Sequence, residues 1–274
     1  MIYLKTIFST PSEIKYLKLN IQESYDHIDK IIICEFNYTH TGKKRELIFQ
    51  KYLNYFNDEE KKKIIYIGAD ITEYVRQAMN NEDVAHENEK LMRGYFVKEV
   101  KIKDDDIIFS LDADEIVFSQ YYAEIIHKLQ NAKWPWQRKS YRLPIRQFFY
   151  KINYHWENLK FISPVACKAS YFLKKGFPAQ WRDEGRIYST YVGSHYSWCI
   201  SIDEMVSKIN NYAHQEQFAH LANYETMKNA VEDKIYPFDD RKFKINVIDI
   251  DTKKEYFPKS IYKQLNEFKE LIGK

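Results

Sequence analysis

The segment Ile107–Val117, IIFSLDADEIV, sets an apolar run directly against three acidic residues. Its first residues are apolar and include β-branched and aromatic types, which predicts a buried β-strand. In an extended chain the side chains at positions i and i+2 point the same way, so Asp112 and Asp114 are expected to converge on one point. Two neighbouring carboxylates repel each other unless a cation lies between them. The pattern therefore predicts a Mg²⁺ or Mn²⁺ site that also takes the phosphate oxygens of a nucleotide diphosphate.

A second interpretation of this segment stays open. The motif Asp-x-Asp is common, and the segment could instead be an acidic turn that is exposed to solvent. This interpretation explains Glu115 better than it explains Asp112. The position after a predicted strand favours a functional site, because the ligands of open α/β sheets lie at the carboxyl ends of the strands.

The first part of the chain alternates between strand and helix patterns. Met1–Phe8 and Lys30–Phe36 predict strands, and Thr10-Pro11-Ser12-Glu13 between them is typical of a helix start. The alternation continues with a predicted helix over Arg45–Phe56, a strand over Ile64–Ile67 and a helix over about Glu87–Val100. This order of elements predicts an α/β fold.

After residue 118 the pattern changes. Ser119–Leu129 predicts a helix, whereas Ser140–Tyr154 and Phe161–Phe172 are typical of extended chain and predict hairpin-like additions. The spacing of Ile261, Leu265, Phe268 and Leu271 predicts a closing amphipathic helix. No linker-like composition interrupts the chain, so we expect one domain over 1–274, with a donor half over 1–118 and an acceptor half over 119–274.

Charge and cysteine content exclude several classes of protein. The 42 basic and 39 acidic residues are mixed throughout, which argues against a nucleic-acid partner. Cys34, Cys167 and Cys199 are far apart and form no CxxC pair, so neither a disulfide framework nor a structural zinc site is expected. No stretch approaches the roughly 18 to 20 apolar residues of a membrane span. We therefore expect a soluble protein of the cytoplasm, a reducing compartment.

Three blocks of sequence resemble glycosyltransferase family seventeen, and they occur in the family's order over most of the chain. They are ICEFNYTHTGKKREL over Ile33–Leu47, HENEKLMRGYF running on into DDDIIFSLDADEI over His86–Ile116, and VGSHYSWCIS over Val192–Ser201. The resemblance implies a GT-A-like fold, with a mixed, mainly parallel sheet flanked by helices. It also implies an inverting transfer of a sugar from a UDP-sugar donor to a glycan or glycoconjugate acceptor, with N-acetylglucosamine as the first candidate for the sugar.

The chain departs from the Golgi members of that family in two respects. It is smaller, and we expect it to lack their membrane anchor and stem. We therefore expect an acceptor other than a maturing secretory glycoprotein.

The resemblance assigns roles to the acidic triplet and to one histidine. Asp112 and Asp114 match the family's metal motif, with Asp114 expected to bind the cation directly and Asp112 to face the ribose or a metal-bound water. Asp112→Ala and Asp114→Ala are each expected to abolish transfer in a folded protein. His195, in Gly193-Ser194-His195-Tyr196-Ser197-Trp198, is a candidate third metal ligand or a donor to the diphosphate, with a structural role as the alternative.

Four residues outside the triplet are candidates for donor binding. Glu35, Asn37 and Thr39 follow the second predicted strand and are expected to contact the base and ribose, unless this loop only satisfies its own backbone. Arg93 precedes the acidic strand and is expected to reach a phosphate or to pair with Asp112.

An inverting transfer also needs a carboxylate that removes the proton of the acceptor hydroxyl. Glu184 is the first candidate, Asp183 the second and Glu115 the third; a charged surface turn is the alternative for the first two. Trp156, Trp181 and Trp198 are candidate platforms for sugar rings.

Two rival functions remain from the sequence. One is a Mg²⁺-dependent phosphohydrolase of the haloacid dehalogenase type, which also places Asp-x-Asp after an apolar strand and would need a late acidic pair such as Asp239-Asp240. The other is a noncatalytic carbohydrate-binding protein, which would bind glycans without a metal or a nucleotide.

Overall fold

The structure is a computed structural model that describes residues 1–78, 81–132, 139–173, 182, 184–211, 218–239 and 241–274. Within these residues the chain forms two β-sheets flanked by helices. The predicted α/β class is confirmed. The division into one domain with a donor and an acceptor half stays a prediction.

The first sheet contains seven described strands, most of them from the first half of the chain. They are β1 (Ile2–Ile7), β2 (Lys30–Phe36), β3 (Ile64–Ala69), β4 (Ile107–Ser110), β6 (Ser140–Arg142), β9 (Val165–Lys168) and β10 (Arg186–Ile187). Their order is β10-β6-β9-β4-β1-β2-β3. The strands from β4 to β3 are parallel, whereas β9 runs antiparallel to both of its neighbours.

The second sheet comes from the middle and the end of the chain. Its described strands are β5 (Glu115–Val117), β7 (Ile145–Phe149), β8 (Tyr154–Phe161), β11 (Gly193–Ser197) and β12 (Ile245–Val247). Their order is β12-β8-β7-β11-β5, and only the central pair β7 and β11 is parallel. The expected mainly parallel sheet therefore corresponds to the first sheet, and the hairpin-like additions form the second.

The helices are short to medium in length. The described α-helices are α1 (Ile14–Ser24), α2 (Asp58–Lys63), α3 (Glu82–Gly94), α4 (Ser119–Gln130), α5 (Ala169–Leu173), α6 (Ile202–Asn211), α7 (Tyr224–Glu232) and α8 (Leu265–Phe268). The described 3₁₀ helices are Pro11–Glu13, Phe49–Tyr55, Tyr95–Lys98, Ala219–Leu221, Lys254–Tyr256, Lys259–Lys263 and Lys269–Leu271. None of the helices in these ranges combines the length and the apolar character that crossing a membrane requires.

Alternating side chains of β2 explain why the first sheet is covered on both faces. Ile31 and Ile33 lie in the core that contains residues of α1 and α4, whereas Ile32 and Cys34 lie in the core that contains Met92 of α3. A strand that is buried on both faces needs a continuous apolar run, which is the pattern of KIIICEF. Helix α3 therefore packs on one face of the first sheet, whose strand β4 leads into the acidic residues Asp112, Asp114 and Glu115.

Three predicted elements differ in the structure. Arg45–Phe56 was expected to be helical, but only Phe49–Tyr55 is helical, as a 3₁₀ helix, because Arg45 donates to the carbonyls of Phe36 at 2.8 Å and Ser9 at 2.7 Å. These bonds hold the start of the segment against the strand ends.

The other two differences lie later in the chain. Phe161–Phe172 was expected to be a strand, but the strand β9 ends at Lys168 and the helix α5 follows. The closing helix is divided into the 3₁₀ helix Lys259–Lys263, α8 and the 3₁₀ helix Lys269–Leu271, although Phe268 is buried as its spacing predicts.

Candidate active site

The acidic turn joins the two sheets. Strand β4 ends at Ser110 in the first sheet and β5 begins at Glu115 in the second, so Asp112 and Asp114 lie on the connection between them. The Glu115 N–H donates to the Asp112 carbonyl at 3.0 Å, and the Asp112 N–H donates to the Glu115 carboxylate at 2.7 Å. These reciprocal bonds close the turn and hold both aspartates at the carboxyl end of β4.

Two arginines hold the carboxylate of Asp112. Arg93, in the last turn of α3, donates from Nη1 to Oδ1 at 2.7 Å and from Nη2 to Oδ2 at 3.1 Å, and Arg182 donates from Nη1 to Oδ2 at 2.9 Å. Burial raises the pKa of Asp112, but the two guanidinium groups outweigh it and hold this pKa well below its ordinary value. Asp112 is therefore ionised, and of the two roles expected for Arg93, the structure shows the pairing with Asp112.

Arg182 also pairs with Glu115, the third candidate for the catalytic base, whose catalytic role stays a prediction. The Glu115 side chain is 1% exposed, and both of its carboxylate oxygens accept from Nη2 of Arg182. Arg182 Nε donates to the Ser163 carbonyl at 3.0 Å, which fixes the guanidinium in place. Burial raises the pKa of Glu115. The carboxylate of Glu115 thus holds Arg182 within the protein.

A buried lysine adds a third positive group to this side of the turn. Lys5 on β1 is paired in register with Ser110 on β4, and its side chain is fully buried. Among the described residues its ammonium has no hydrogen-bond partner. Burial lowers the pKa of Lys5 to about 8, whereas Asp112 raises it and Arg93 and Arg182 lower it further. The region around Asp112 is therefore rich in cations as well as in carboxylates.

Asp114 faces a different neighbour. Its Oδ1 lies 3.5 Å from Nε2 of His195 on β11, which is the strand next to β5. A Cβ at Gly193 would overlap the carbonyl of Ile116, so glycine is required where β11 approaches β5. Burial raises the pKa of Asp114, but His195 and then Lys208 lower it, and the net pKa lies below its ordinary value.

The other ring nitrogen of His195 is held by Gln147. Nδ1 of His195 lies 2.7 Å from Oε1 of Gln147, its register partner on β7, and Gln147 is buried. The ring of Phe161 lies 4.3 Å from the imidazole, measured between centroids. The imidazole is therefore enclosed on these two sides, and its Nε2 atom is directed to Asp114.

The pair of Asp114 and His195 fits a small divalent cation that also takes oxygens from a substrate. Ligand bonds of about 2.0 to 2.2 Å place cis ligands roughly 3 Å apart, close to the 3.5 Å that separates Oδ1 and Nε2. Among the described residues no group of three His, Cys, Asp or Glu side chains is arranged to hold a metal ion. Asp112, whose oxygens are engaged by two arginines, does not complete such a group. Asp114 would supply the single carboxylate that such a cation can take beside the phosphates of its substrate, and the imidazole of His195 would be a nitrogen ligand, which a transition metal accepts more readily than Mg²⁺ does.

Comparison with known proteins identifies the family of the chain. The family model described as Glycosyltransferase family 17 matches residues 2–240, which is most of the chain. The chain belongs to glycosyltransferase family 17. The resemblance drawn from the three blocks of sequence is thereby confirmed, and the protein is a glycosyltransferase.

Two solved structures are similar in fold, and no curated protein sequence matches the chain. An active-site mutant of LgtC is 13% identical, with a TM-score of 0.34, over 84% of this chain and 70% of that one. The galactosyltransferase LgtC in complex with donor and acceptor sugar analogues is 11% identical, with a TM-score of 0.35, over 84% of this chain and 83% of that one. Both scores lie below 0.5, and we assign no residue role from either structure.

Within the first block of this family 17 chain, Glu35 bonds to the protein itself, and its expected contact with the donor base stays a prediction. Its side chain is 1% exposed, and its carboxylate accepts from the N–H groups of Ile48 at 2.7 Å and Phe49 at 3.0 Å. The Tyr66 hydroxyl donates to the same carboxylate at 2.8 Å. Glu35 thus satisfies the start of the 3₁₀ helix that follows, which is the alternative considered for this loop.

Asn37 and Thr39 lie at the carboxyl end of β2 and organise the loops there. Asn37 donates to Asp70 at 2.8 Å and accepts from the N–H of Ile71 at 2.9 Å, which ties the end of β2 to the loop after β3. Thr39 Oγ1 accepts from the N–H of Lys43 at 3.1 Å. Their contact with a donor nucleotide stays a prediction.

His40 and Asn88 connect this loop to α3, and the sequence analysis gave neither of them a role. Asn88 is buried and donates to the His40 carbonyl at 2.8 Å. Burial lowers the pKa of His40 to about 4, while the nearby Glu89 raises it and Arg93 lowers it. The imidazole is thus neutral near pH 7 and lies in the same electrostatic environment as the arginine that holds Asp112. The place of His40 in the block Ile33–Leu47 and that of Asn88 in the block His86–Ile116 were visible in the sequence, but the proximity of His40 to Arg93 was not.

The remaining candidates have mixed outcomes. Glu184 is half-buried and accepts from the Tyr171 hydroxyl at 3.1 Å, and it lies two residues after Arg182. Asp183 and Trp181 lie outside the described residues. Trp156 is 3% exposed and Trp198 8% exposed, both within an aromatic core, so neither offers a free face to a sugar.

Proposed function

We propose that this family 17 protein is a metal-dependent, inverting, GT-A-type glycosyltransferase that moves N-acetylglucosamine from a UDP-sugar to a glycan or glycoconjugate acceptor. The observation that carries the proposal is the pair formed by Asp114 and His195 on one side of a turn whose other aspartate is held by two arginines. Family membership supports the class of reaction, and the pair supports the dependence on Mn²⁺ or Mg²⁺.

The residues of the turn have separate parts in this proposal. Asp114 and His195 would hold the cation, which neutralises charge on the departing diphosphate and so lowers the barrier by several kcal/mol. Asp112 is held in its ionised form by Arg93 and Arg182, and its side chain remains 35% exposed. That exposed edge is suited to accept a hydrogen bond from a ribose hydroxyl or from a water molecule of the site.

The base that takes the acceptor proton is proposed among the acids near Arg182. Glu184 remains the first candidate and Asp183 the second. Both follow Arg182 in the chain, and Arg182 bonds to Asp112 in the acidic turn. Glu184→Gln is expected to remove the acidic limb of the pH–rate profile, since an amide cannot accept the proton. Wild-type turnover of this variant at all pH values would reject Glu184.

The experiment that tests the proposed function is a thermal-shift panel with UDP, UDP-N-acetylglucosamine, UDP-galactose and GDP-mannose, each with and without Mn²⁺. A ligand that binds only the folded protein stabilises it by about 2.7 kcal/mol at a hundredfold excess over its Kd. We expect stabilisation by UDP-N-acetylglucosamine with Mn²⁺ and little without the metal.

Matched variants assign the effect to the turn. Asp114→Asn and His195→Gln are expected to lose the Mn²⁺-dependent shift, whereas Asp58→Asn on α2 and His127→Gln on α4 retain it. Release of phosphate from simple phosphate esters, with no response to any nucleotide sugar, would favour the phosphohydrolase. Of the late acidic pair that this rival needs, Asp239 is bound by Arg241, and Asp240 lies outside the described residues. Glycan binding that needs neither metal nor nucleotide would favour a noncatalytic protein.

A further inference from the structure

Gln147 is a buried amide on β7 that none of the roles above requires. Its side chain is 2% exposed, and it stands beside His195 in the register of the parallel strands β7 and β11. A buried amide is retained at little cost only when its carbonyl oxygen and its NH₂ group both have partners. Gln147 has a partner for each group, and together these partners determine a property of His195.

The first partner fixes the orientation of the amide. Nε2 of Gln147 donates to the carbonyl oxygen of Phe148 at 3.0 Å. The flipped amide would set two carbonyl oxygens, both acceptors, against each other in a buried place. The NH₂ group therefore faces Phe148, and Oε1 faces His195.

The second partner fixes the proton of the imidazole. Oε1 of Gln147 is only an acceptor, so the ring nitrogen 2.7 Å away, Nδ1 of His195, carries the hydrogen and donates it. A neutral imidazole has one N–H, and the other nitrogen, Nε2, then carries a lone pair. In the neutral ring this lone pair is directed to Oδ1 of Asp114, 3.5 Å away, whereas a protonated ring would form an ion pair with the same carboxylate.

We propose that Gln147 is a positioning residue that holds His195 in the Nδ1-protonated tautomer and thereby presents the Nε2 lone pair, opposite Asp114, to a divalent cation. This inference rests on the proposed function for the identity of what binds, but its central claim concerns the metal-free protein. A histidine ligand commonly donates its other N–H to a carbonyl or carboxylate, and loss of that partner typically weakens metal affinity by 10- to 100-fold.

The structural alternative is a hydrogen bond that only joins two strands. Backbone ladders already pair β7 with β11 over four residues, from Ser194 opposite Arg146 to Ser197 opposite Phe149. Such a role would be insensitive to which ring nitrogen carries the proton. The tautomer is therefore the property that separates a positioning residue from a merely structural one.

The decisive experiment is a long-range ¹H–¹⁵N correlation spectrum of the metal-free protein with ¹⁵N-labelled histidine, at pH 8.5. That pH is about two units above the ordinary pKa of an imidazole, about 6.5. The spectrum of His195→Gln identifies the His195 signals. We expect an Nδ1–H tautomer in the wild type, and in Gln147→Leu a shift to the Nε2–H tautomer, because the N–H then gains Asp114 as acceptor.

A second measurement connects the tautomer to the cation. The Kd for Mn²⁺ alone, measured by electron paramagnetic resonance of the free ion, is expected to rise 10- to 100-fold in Gln147→Leu. Gln264→Leu, a substitution at another buried glutamine whose Nε2 bonds Gln22, controls for lost packing and should change neither.

An Nε2–H tautomer in the wild type would overturn the inference, and so would a Gln147→Leu variant that keeps both the tautomer and the Mn²⁺ affinity. Failure of the proposed function has a different signature. A protein that neither binds Mn²⁺ nor transfers a sugar, yet shows the Nδ1–H tautomer and its loss in Gln147→Leu, would refute the glycosyltransferase metal site while leaving the role of Gln147 in place.

Discussion

The two aspartates of one turn lie in opposite kinds of environment. On one side Asp112 is enclosed by Arg93 and Arg182, and Glu115 completes the group, so charge is balanced within the protein. On the other side Oδ1 of Asp114 and Nε2 of His195 lie 3.5 Å apart, and among the described residues no arginine lies between them. Two acids only two residues apart therefore have different partners: Asp112 is paired with two arginines, whereas Asp114 lies beside the imidazole of His195.

The largest effect is expected at Arg182, on the side of Asp112. Arg182→Met leaves Glu115 buried without its cation, and breaking a buried ion pair by removing one partner costs about 3 to 5 kcal/mol of unfolding free energy. The double variant Arg182→Met with Glu115→Leu should recover much of this loss, because no lone buried charge remains. Urea unfolding measures both.

The control for Arg182 is Arg241, which pairs with Asp239 at an exposed site. Arg241→Met is expected to cost less than about 1 kcal/mol. If Arg182→Met lowers the unfolding free energy no more than this control does, the contacts of Arg182 with Asp112 and Glu115 do not stabilise the fold.

The second test is Lys5, a buried lysine on the same side of the turn. Its pKa is lowered from 10.5 to about 8 in the folded protein. The unfolded chain therefore binds more protons between pH 8 and 10.5, and the penalty for burying the charged lysine is fully present below pH 8 and fades as the pH rises through this window. Lys5→Met is expected to stabilise the protein at pH 7, by about 3 kcal/mol for a shift of this size.

The measurement for Lys5 is urea unfolding at pH 7 and at pH 10. The advantage of Lys5→Met should shrink at the higher pH. Lys168→Met is the matched control, because Lys168 is also buried but has Asp105 at 3.4 Å as a partner, and this variant should gain no such stability. Destabilisation by Lys5→Met at pH 7 would mean that its ammonium has an essential partner.

The two aspartates themselves provide the third test. The sequence predicts that Asp112→Ala and Asp114→Ala both abolish transfer in a folded protein. Because two arginines bond to Asp112, we expect that changing this residue also lowers the unfolding free energy. Asp112→Asn should lower the unfolding free energy by about 2 kcal/mol, the typical loss for charged hydrogen bonds. Asp114→Asn should change stability little while removing the Mn²⁺-dependent activity. Equal losses of stability in both variants would remove the distinction.

The smallest effect on stability is expected at His195. His195→Gln loses the bond to Gln147 and should cost about 1 kcal/mol, well below the loss for Arg182→Met. Chemical denaturation of this variant, with His127→Gln as the surface control, gives the comparison. A cost as large as that of Arg182→Met would mean that His195 stabilises the fold as much as Arg182 does.

Much of the fold follows from local patterns of sequence. KIIICEF forms the doubly buried β2, and Glu13 reaches back to the N–H groups of Ser9 at 2.7 Å and Thr10 at 3.3 Å, as the helix-start pattern predicts. The predicted helix over Arg45–Phe56 was wrong in part because Arg45 bonds to the carbonyls of Phe36 and Ser9, which lie at or just after the ends of two strands. Apolar periodicity carries no information about such partners.

The sequence by itself determined the class of the fold, the family, and the acidic triplet and His195 as the residues to examine. The tertiary structure decided how these residues divide: that Arg182 encloses Glu115, that Glu35 serves the backbone after β2, and that Gln147 holds His195. The physical reason is that a periodic pattern reports which face of an element is buried, whereas the partner of a buried charge or amide is set by which strands become neighbours. Two sheets that meet at one turn brought those partners together from distant parts of the chain.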